Sequence, residues 1–159
     1  MVHADGNVEA PRIVDGKPVH IVGISEVYAQ QERSAIPDQW KRFAPNIGKI
    51  PGQTSRVAYG IMFDVPEGFE YITGVEVSGA STPRGDLKQI ILPALKYAIF
   101  PHNGDASTLW QTADAAYRNW LPSSGHELAD QPKLIERYGE KFDPATKTGD
   151  IEIWVPLKS

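Results

Sequence analysis

Two stretches of this chain repeat each other, and the repeat narrows the possible folds more than any other feature. Ser55-Arg56-Val57-Ala58-Tyr59-Gly60-Ile61-Met62-Phe63-Asp64 is echoed 79 residues later by Leu134-Ile135-Glu136-Arg137-Tyr138-Gly139-Glu140-Lys141-Phe142-Asp143. Tyr59/Tyr138, Gly60/Gly139, Phe63/Phe142 and Asp64/Asp143 coincide without a gap. Segments repeated half a chain apart imply two like units related by a pseudo-twofold axis. Residues of one parity share a strand face, so Val57, Tyr59, Ile61 and Phe63 are expected to be buried together. The second copy has Glu136 where the first has Val57. A carboxylate at a position whose twin is interior is either paired or waiting for something positive. A cross-strand salt bridge to Arg56, Arg137 or a lysine is the plain alternative to a ligand anchor.

The patterns flanking the repeat supply the rest of each unit. Residues 1–18 are polar, contain Pro11, Gly16 and Pro18 and show no period, so they read as a loose N-terminal arm ahead of one domain over 19–159. Val19–Tyr28 is a strand rich in β-branched residues. Ser34 is placed to cap a helix whose Ile36, Trp40, Phe43, Ala44 and Ile47 form one face, with Pro37 in its first turn and Pro45 ending it. Arg56–Asp64 and Phe69–Val77 then read as a hairpin about Val65-Pro66-Glu67-Gly68. Gly79–Asp86 is the natural hinge between halves at about 19–80 and 86–159.

Beyond the hinge the pattern restarts. Leu87–Leu92 and Ala94–Phe100 read as strands, and Thr108 opens a helix with Leu109, Ala113, Ala116, Tyr117, Trp120 and Leu121 along one stripe. Leu121-Pro122-Ser123-Ser124-Gly125 stops it. The Glu136 strand, a turn over Pro144–Gly149 and a last strand, Asp150–Leu157, complete the chain. Trp40 and Trp120 fall near the ends of matching helices, 80 residues apart. The expected fold is α+β: duplicated strand-helix-strand-strand units, an antiparallel sheet, and a central ligand cleft at the seam.

Composition closes off several functions. A net charge of -4 on 159 residues gives no general attraction to nucleic acid or an anionic membrane. No cysteine is present, which removes disulfides and thiolate chemistry. His3, His20, His102 and His126 lack metal-ligand spacing, no glycine-rich phosphate loop opens a helix, and no G-x-S-x-G elbow occurs. Ser123-Ser124 beside His126 lies in a helix-terminating loop and is a poor triad. The Met-Val-His-Ala-Asp start has no signal-peptide character and no run is of membrane-spanning length, so a cytoplasmic address is expected. No cofactor is indicated.

Rings gather around Glu136 in this map: Tyr138 on its face, Tyr59 as that tyrosine's twin, and Tyr71 and Trp154 on strands that should pair with these. In the last strand Ile151, Ile153 and Val155 share one face and Glu152 and Trp154 the other, so Trp154 is expected to point away from the helix-packed core. Rings around a carboxylate make a box for a flat or cationic molecule, each face adding about 0.5–2 kcal/mol of cation–π attraction. For any single tyrosine, packing with its hydroxyl at the rim is the simpler reading. Trp40, Phe43, Trp110 and Trp120 read as helix-face core.

Tyr59-Gly60, Tyr71-Ile72-Thr73-Gly74-Val75-Glu76-Val77 and Lys96-Tyr97-Ala98-Ile99-Phe100, taken in order with Trp120-Leu121-Pro122-Ser123-Ser124-Gly125, Ile135-Glu136-Arg137-Tyr138, Phe142-Asp143-Pro144 and Ile151-Glu152-Ile153-Trp154-Val155-Pro156-Leu157, resemble the GyrI-like effector-binding domain. The resemblance runs from about residue 19 onward. It implies a pocket for aromatic, often cationic compounds with a central glutamate, as in MerR- and AraC-type multidrug regulators. Glu136 matches that glutamate, Trp154 a pocket aromatic on the last strand, and Tyr59, Tyr71, Tyr97 and Tyr138 are carried as further wall residues. It also admits a hydrolase of cyclopropane-bearing genotoxins, using Glu136 as base with Tyr138 or Tyr97 as donor. A third reading is an interaction protein acting on gyrase, or with a separate DNA-binding partner.

Overall fold

The computed structural model describes residues 10–79, 83 and 85–158. Nine residues of the expected arm, and Ala80, Ser81, Thr82 and Arg84 of the expected hinge, lie outside the described residues. The strands are β1 Arg12–Asp15, β2 Val19–Tyr28, β3 Gln53–Val65, β4 Gly68–Val77, β5 Lys88–Leu92, β6 Lys96–His102, β7 Leu134–Tyr138 and β8 Ile151–Leu157. They form one antiparallel sheet in the order β1-β6-β8-β7-β3-β4-β2-β5. The central β7–β3 pair divides two like halves, with helical residues between β2 and β3 in one and between β6 and β7 in the other. Residues 12–15, inside the segment read as an arm, are therefore an edge strand on β6. β5 belongs by hydrogen bonding to β2 of the first half, although it follows the hinge.

Strand order and chain order together require the sheet to curl. β5 and β6 stand six strand positions apart, about 29 Å across a flat sheet. Pro93-Ala94-Leu95 joins them, and such a linker reaches roughly 13 Å. The sheet therefore bends so that its two ends approach, and its concave face closes on a core of Ile21, Tyr59, Ile61, Leu92, Tyr97, Ile99 and Ile135.

Both helices lie on the convex face. α1, Ile36–Phe43, carries Pro37 in its first turn and sets Phe43 among Val22, Ile24, Ala58 and Val75. Ser34 does not cap it. A 3-10 turn, Gln30–Ala35, precedes the helix, and there Glu32 accepts the Ala29 backbone N–H at 2.6 Å. Gln39 fastens α1 to the sheet, donating to the carbonyls of Ile24 (3.2 Å) and Tyr71 (2.8 Å) and accepting from Tyr28 Oη (2.8 Å). Because every polar atom of this buried amide is satisfied, the helix has one register on the sheet.

α2, Leu109–Ala115, runs on through a π turn, Ala116–Trp120, into α3, Leu121–Ser124, and stops at Gly125 with φ 78°. Pro122 has no N–H to give to the preceding turn, and the widened π turn sits just ahead of it. Thr108 forms no side-chain cap; Asp105, three residues earlier, accepts from Ser107 N at 2.9 Å. Among the described residues no helix is long and apolar enough to cross a membrane.

Candidate functional site

The face on which each side chain lies follows from the register. Glu136 stands opposite Gly60 on β3 and Ile153 on β8, and Gly60 stands opposite Thr73 on β4. Directly opposed residues share a face, so Glu136, Gly60, Thr73, Ile153 and, two residues along β4, Tyr71 all lie on the convex, helix-covered side. Tyr59, Tyr97 and Trp154 lie on the concave side, packed together with ring centroids 6.0 Å (Tyr59–Trp154) and 5.2 Å (Tyr97–Trp154) apart.

The expected box is therefore split in two. Tyr71 and Tyr138 meet Glu136, whereas Tyr59, Tyr97 and Trp154 stand on the far side of the sheet from it. For Tyr59 the 79-residue repeat explains the misplacement. A twofold axis perpendicular to a sheet keeps each side chain on its own face, so residues that the axis relates must share one. The 79-residue alignment makes twins of Tyr59 and Tyr138, which the β3–β7 register sets on opposite faces.

At the convex site two phenols converge on one carboxylate oxygen. Tyr71 Oη donates to Glu136 Oε1 at 2.6 Å and Tyr138 Oη to the same atom at 3.0 Å. Trp40, on α1, donates its indole N–H to Tyr71 Oη at 3.0 Å and sets its ring 5.2 Å from that of Tyr138, edge on. Phe142 flanks Tyr138 at 5.0 Å. The absence of a side chain at residue 60 makes this convergence possible: a Cβ there would lie 2.2 Å from Tyr71 Oη and 2.7 Å from Glu136 Oε1. Trp40 and Gly60 were not among the expected site residues. The indole of Trp40 needs a partner when buried, and that was the signal available.

Electrostatics set this carboxylate apart. Burial pushes the Glu136 pKa above the ordinary value, against the opposing pull of the Tyr71 and Tyr138 hydrogen bonds and the field of Arg33. Burial, and then the charge of Glu136, push both phenols well above their usual range, so they remain protonated donors. No hydrogen bond from the described residues goes to Oε2, and no cation pairs with the group. Yet Glu136 keeps part of its surface accessible. Trp40 and Tyr138 stand on one side, and Leu134 and Met62 lie along the strands beside it.

The concave side also holds a carboxylate among rings, with the opposite electrostatics. Glu152 accepts from Trp154 Nε1 at 3.0 Å, but Arg12 at 3.1 Å and Arg137 at 3.5 Å neutralise it. Arg137 also reaches Asp150 at 3.7 Å. Tyr97 there has a pKa raised to about 12 by burial, as befits a packed phenol. A separate open concavity of about 430 Å³, lined by Ala94, Leu95, Lys96, Ala129, Asp130, Leu157 and Lys158, touches neither set of rings.

Comparison with known proteins fits this geometry. The model of the GyrI-like small molecule binding domain matches residues 9–158. The transcriptional regulator BrlR of Pseudomonas aeruginosa is 31% identical over 153 residues, covering 92% of this chain and 54% of its own length. The chain thus spans about half the curated relative it matches. Among solved structures, SAV2435 bound to tetraphenylphosphonium superposes with a TM-score of 0.77 at 18% identity, covering 95% of each chain. The C-terminal domain of EcmrR superposes with a TM-score of 0.66 at 14% identity, covering 93% of this chain and 96% of its own.

Proposed function

The chain belongs to the GyrI-like small-molecule binding family, and from that premise we propose that it binds an aromatic, cationic or amphipathic organic compound in the crevice above Glu136. Glu136 supplies the counter-charge, and Trp40, Tyr71 and Tyr138 supply walls and orientation. One observation carries this reading: of the two carboxylates set among rings, Glu152 has two arginines and Glu136 has only neutral donors. A buried carboxylate held by phenols alone is destabilised by desolvation, and an incoming cation relieves that cost. Both phenols engage Oε1, which leaves Oε2 for the guest. SAV2435 holding a lipophilic cation on the same fold supports the reading, and BrlR supports an effector-sensing role in gene regulation.

The test is Glu136→Gln with tetraphenylphosphonium as probe, followed by calorimetry. The amide keeps the shape and removes the charge, so affinity is expected to fall about tenfold or more, the range of a lost charge-assisted contact. Unchanged affinity would remove Glu136 as the anchor.

The raised basicity of Glu136 favours a second reading, water addition to a strained cyclopropane electrophile. The carboxylate would take a proton from water as the oxygen attacks ring carbon, and the breaking C–C pair would pass to the substrate's carbonyl, whose oxygen Tyr71 or Tyr138 would hydrogen-bond. Tyr97 has no part in it, since it lies across the sheet. Ring-opened product that forms with the wild type and not with Glu136→Gln identifies this chemistry.

A further inference from the structure

The 3-10 turn between β2 and α1 carries a second charge of the crevice. Arg33 holds its guanidinium carbon 4.8 Å above the centroid of Phe69, and its Nη2 donates to Gln30 Oε1 at 3.0 Å. No carboxylate among the described residues pairs with it. Phe69 belongs to the buried cluster with Tyr28, Met62 and Tyr71, flanked by Trp40 and Leu134, and lies two residues before Tyr71 on the same face of β4, so the ring under Arg33 adjoins the phenol that holds Glu136. The field of Arg33 acts on that carboxylate. The turn thus sets a guanidinium without a carboxylate partner over Phe69, beyond the ring of Tyr71 from a carboxylate that is held by neutral donors alone.

We propose that Arg33 is a specificity-determining residue that makes the crevice bipolar. It selects amphiphilic zwitterions, whose cationic centre faces Glu136 and whose carboxylate or other acceptor faces the guanidinium. A ligand of net positive charge gains at Glu136 and is opposed at Arg33; a zwitterion gains at both. The stack on Phe69 holds the planar fork in place without using its donors, and a planar fork suits a carboxylate acceptor. The inference rests on the Glu136-anchored reading above.

Two dyes with one ring system separate the cases: rhodamine B, a zwitterion at neutral pH, and its ethyl ester, a cation. Fluorescence anisotropy gives both affinities for the wild type, Arg33→Gln, Arg33→Lys and Glu136→Gln. Arg33→Gln is expected to weaken rhodamine B about five- to tenfold relative to the ester, with the ester unchanged or tighter, while Arg33→Lys keeps most of the wild-type ratio. Arg33 is exposed, so the variants should fold, and matching melting curves check this. A ratio that Arg33→Gln does not move overturns the proposal and leaves Glu136 as anchor. Ester binding that is absent in the wild type, or untouched by Glu136→Gln, overturns the anchor and the proposal with it.

Discussion

Gly60→Ala should damage the site and the fold together, through a single methyl group. The new Cβ would lie 2.2 Å from Tyr71 Oη, 2.8 Å from Tyr71 Cζ and 2.7 Å from Glu136 Oε1. An ordinary C···O contact is no shorter than roughly 3.3 Å, so the phenol must retreat by about 1 Å. Tyr71 is only 1% exposed and also accepts from Trp40, so it has little room to do so. Overpacking of this kind costs about 1–3 kcal/mol, and losing the phenol–carboxylate hydrogen bond about 1.5–3 kcal/mol more. Backbone conformation offsets little: the φ of Gly60 lies outside the left-handed region, and alanine gains about 0.5–1 kcal/mol over glycine in a strand. The net loss is about 2–5 kcal/mol, measurable by urea denaturation. Tyr71→Phe removes the oxygen that is struck first, so Gly60→Ala should cost at least about 1 kcal/mol less in that background. Equal costs in the two backgrounds, or a Gly60→Ala protein as stable as the wild type, would refute the close approach at residue 60.

Three further outcomes follow from burial. The folded-state pKa of Glu136 is raised above the ordinary 4.5, so protonation favours the folded state. As pH rises from the ordinary value through the raised one, the stability of the wild type relative to Glu136→Gln should fall and then level off. Over the same window a permanent cation should bind more tightly as the carboxylate ionises, with the Gln variant flat; parallel binding curves for the two proteins would contradict this. Thr73, fully buried opposite Gly60, has its Oγ1 without a hydrogen-bond partner among the described residues. Thr73→Val keeps the shape and removes the unsatisfied hydroxyl, so chemical denaturation should show no loss and up to about 1 kcal/mol of gain. A loss above 1 kcal/mol would mean that the hydroxyl has a partner.

The sequence by itself determined the parts. β-branched runs, the Pro-Glu-Gly turn and two amphipathic stretches located most strands and both helices, because strand and helix periods are written in local order. Alternation also buried Val57, Tyr59 and Ile61 together, and the repeat drew attention to Glu136 as an acid in an apolar setting. Tyr138 was legible as its companion because it shares a strand face with Glu136, and Tyr71 because its strand flanks the first copy of the repeat.

Tertiary structure decided how those parts meet. A period of two tells which residues of one strand share a face and leaves open how the faces of different strands match, so Tyr59, Tyr97 and Trp154 could be grouped with Glu136 although they lie across the sheet from it. Those three became core because the three-residue link between β5 and β6 forces the sheet to close on them. Trp40 and Gly60 entered the site for the reciprocal reason. α1 settles over the seam only once Gln39 is bonded to the Ile24 and Tyr71 carbonyls, and an absent side chain at residue 60 matters only when Tyr71 and Glu136 arrive from either side. Contacts between residues some 30 to 75 positions apart depend on register and curvature, which arise from the whole sheet rather than from any local pattern.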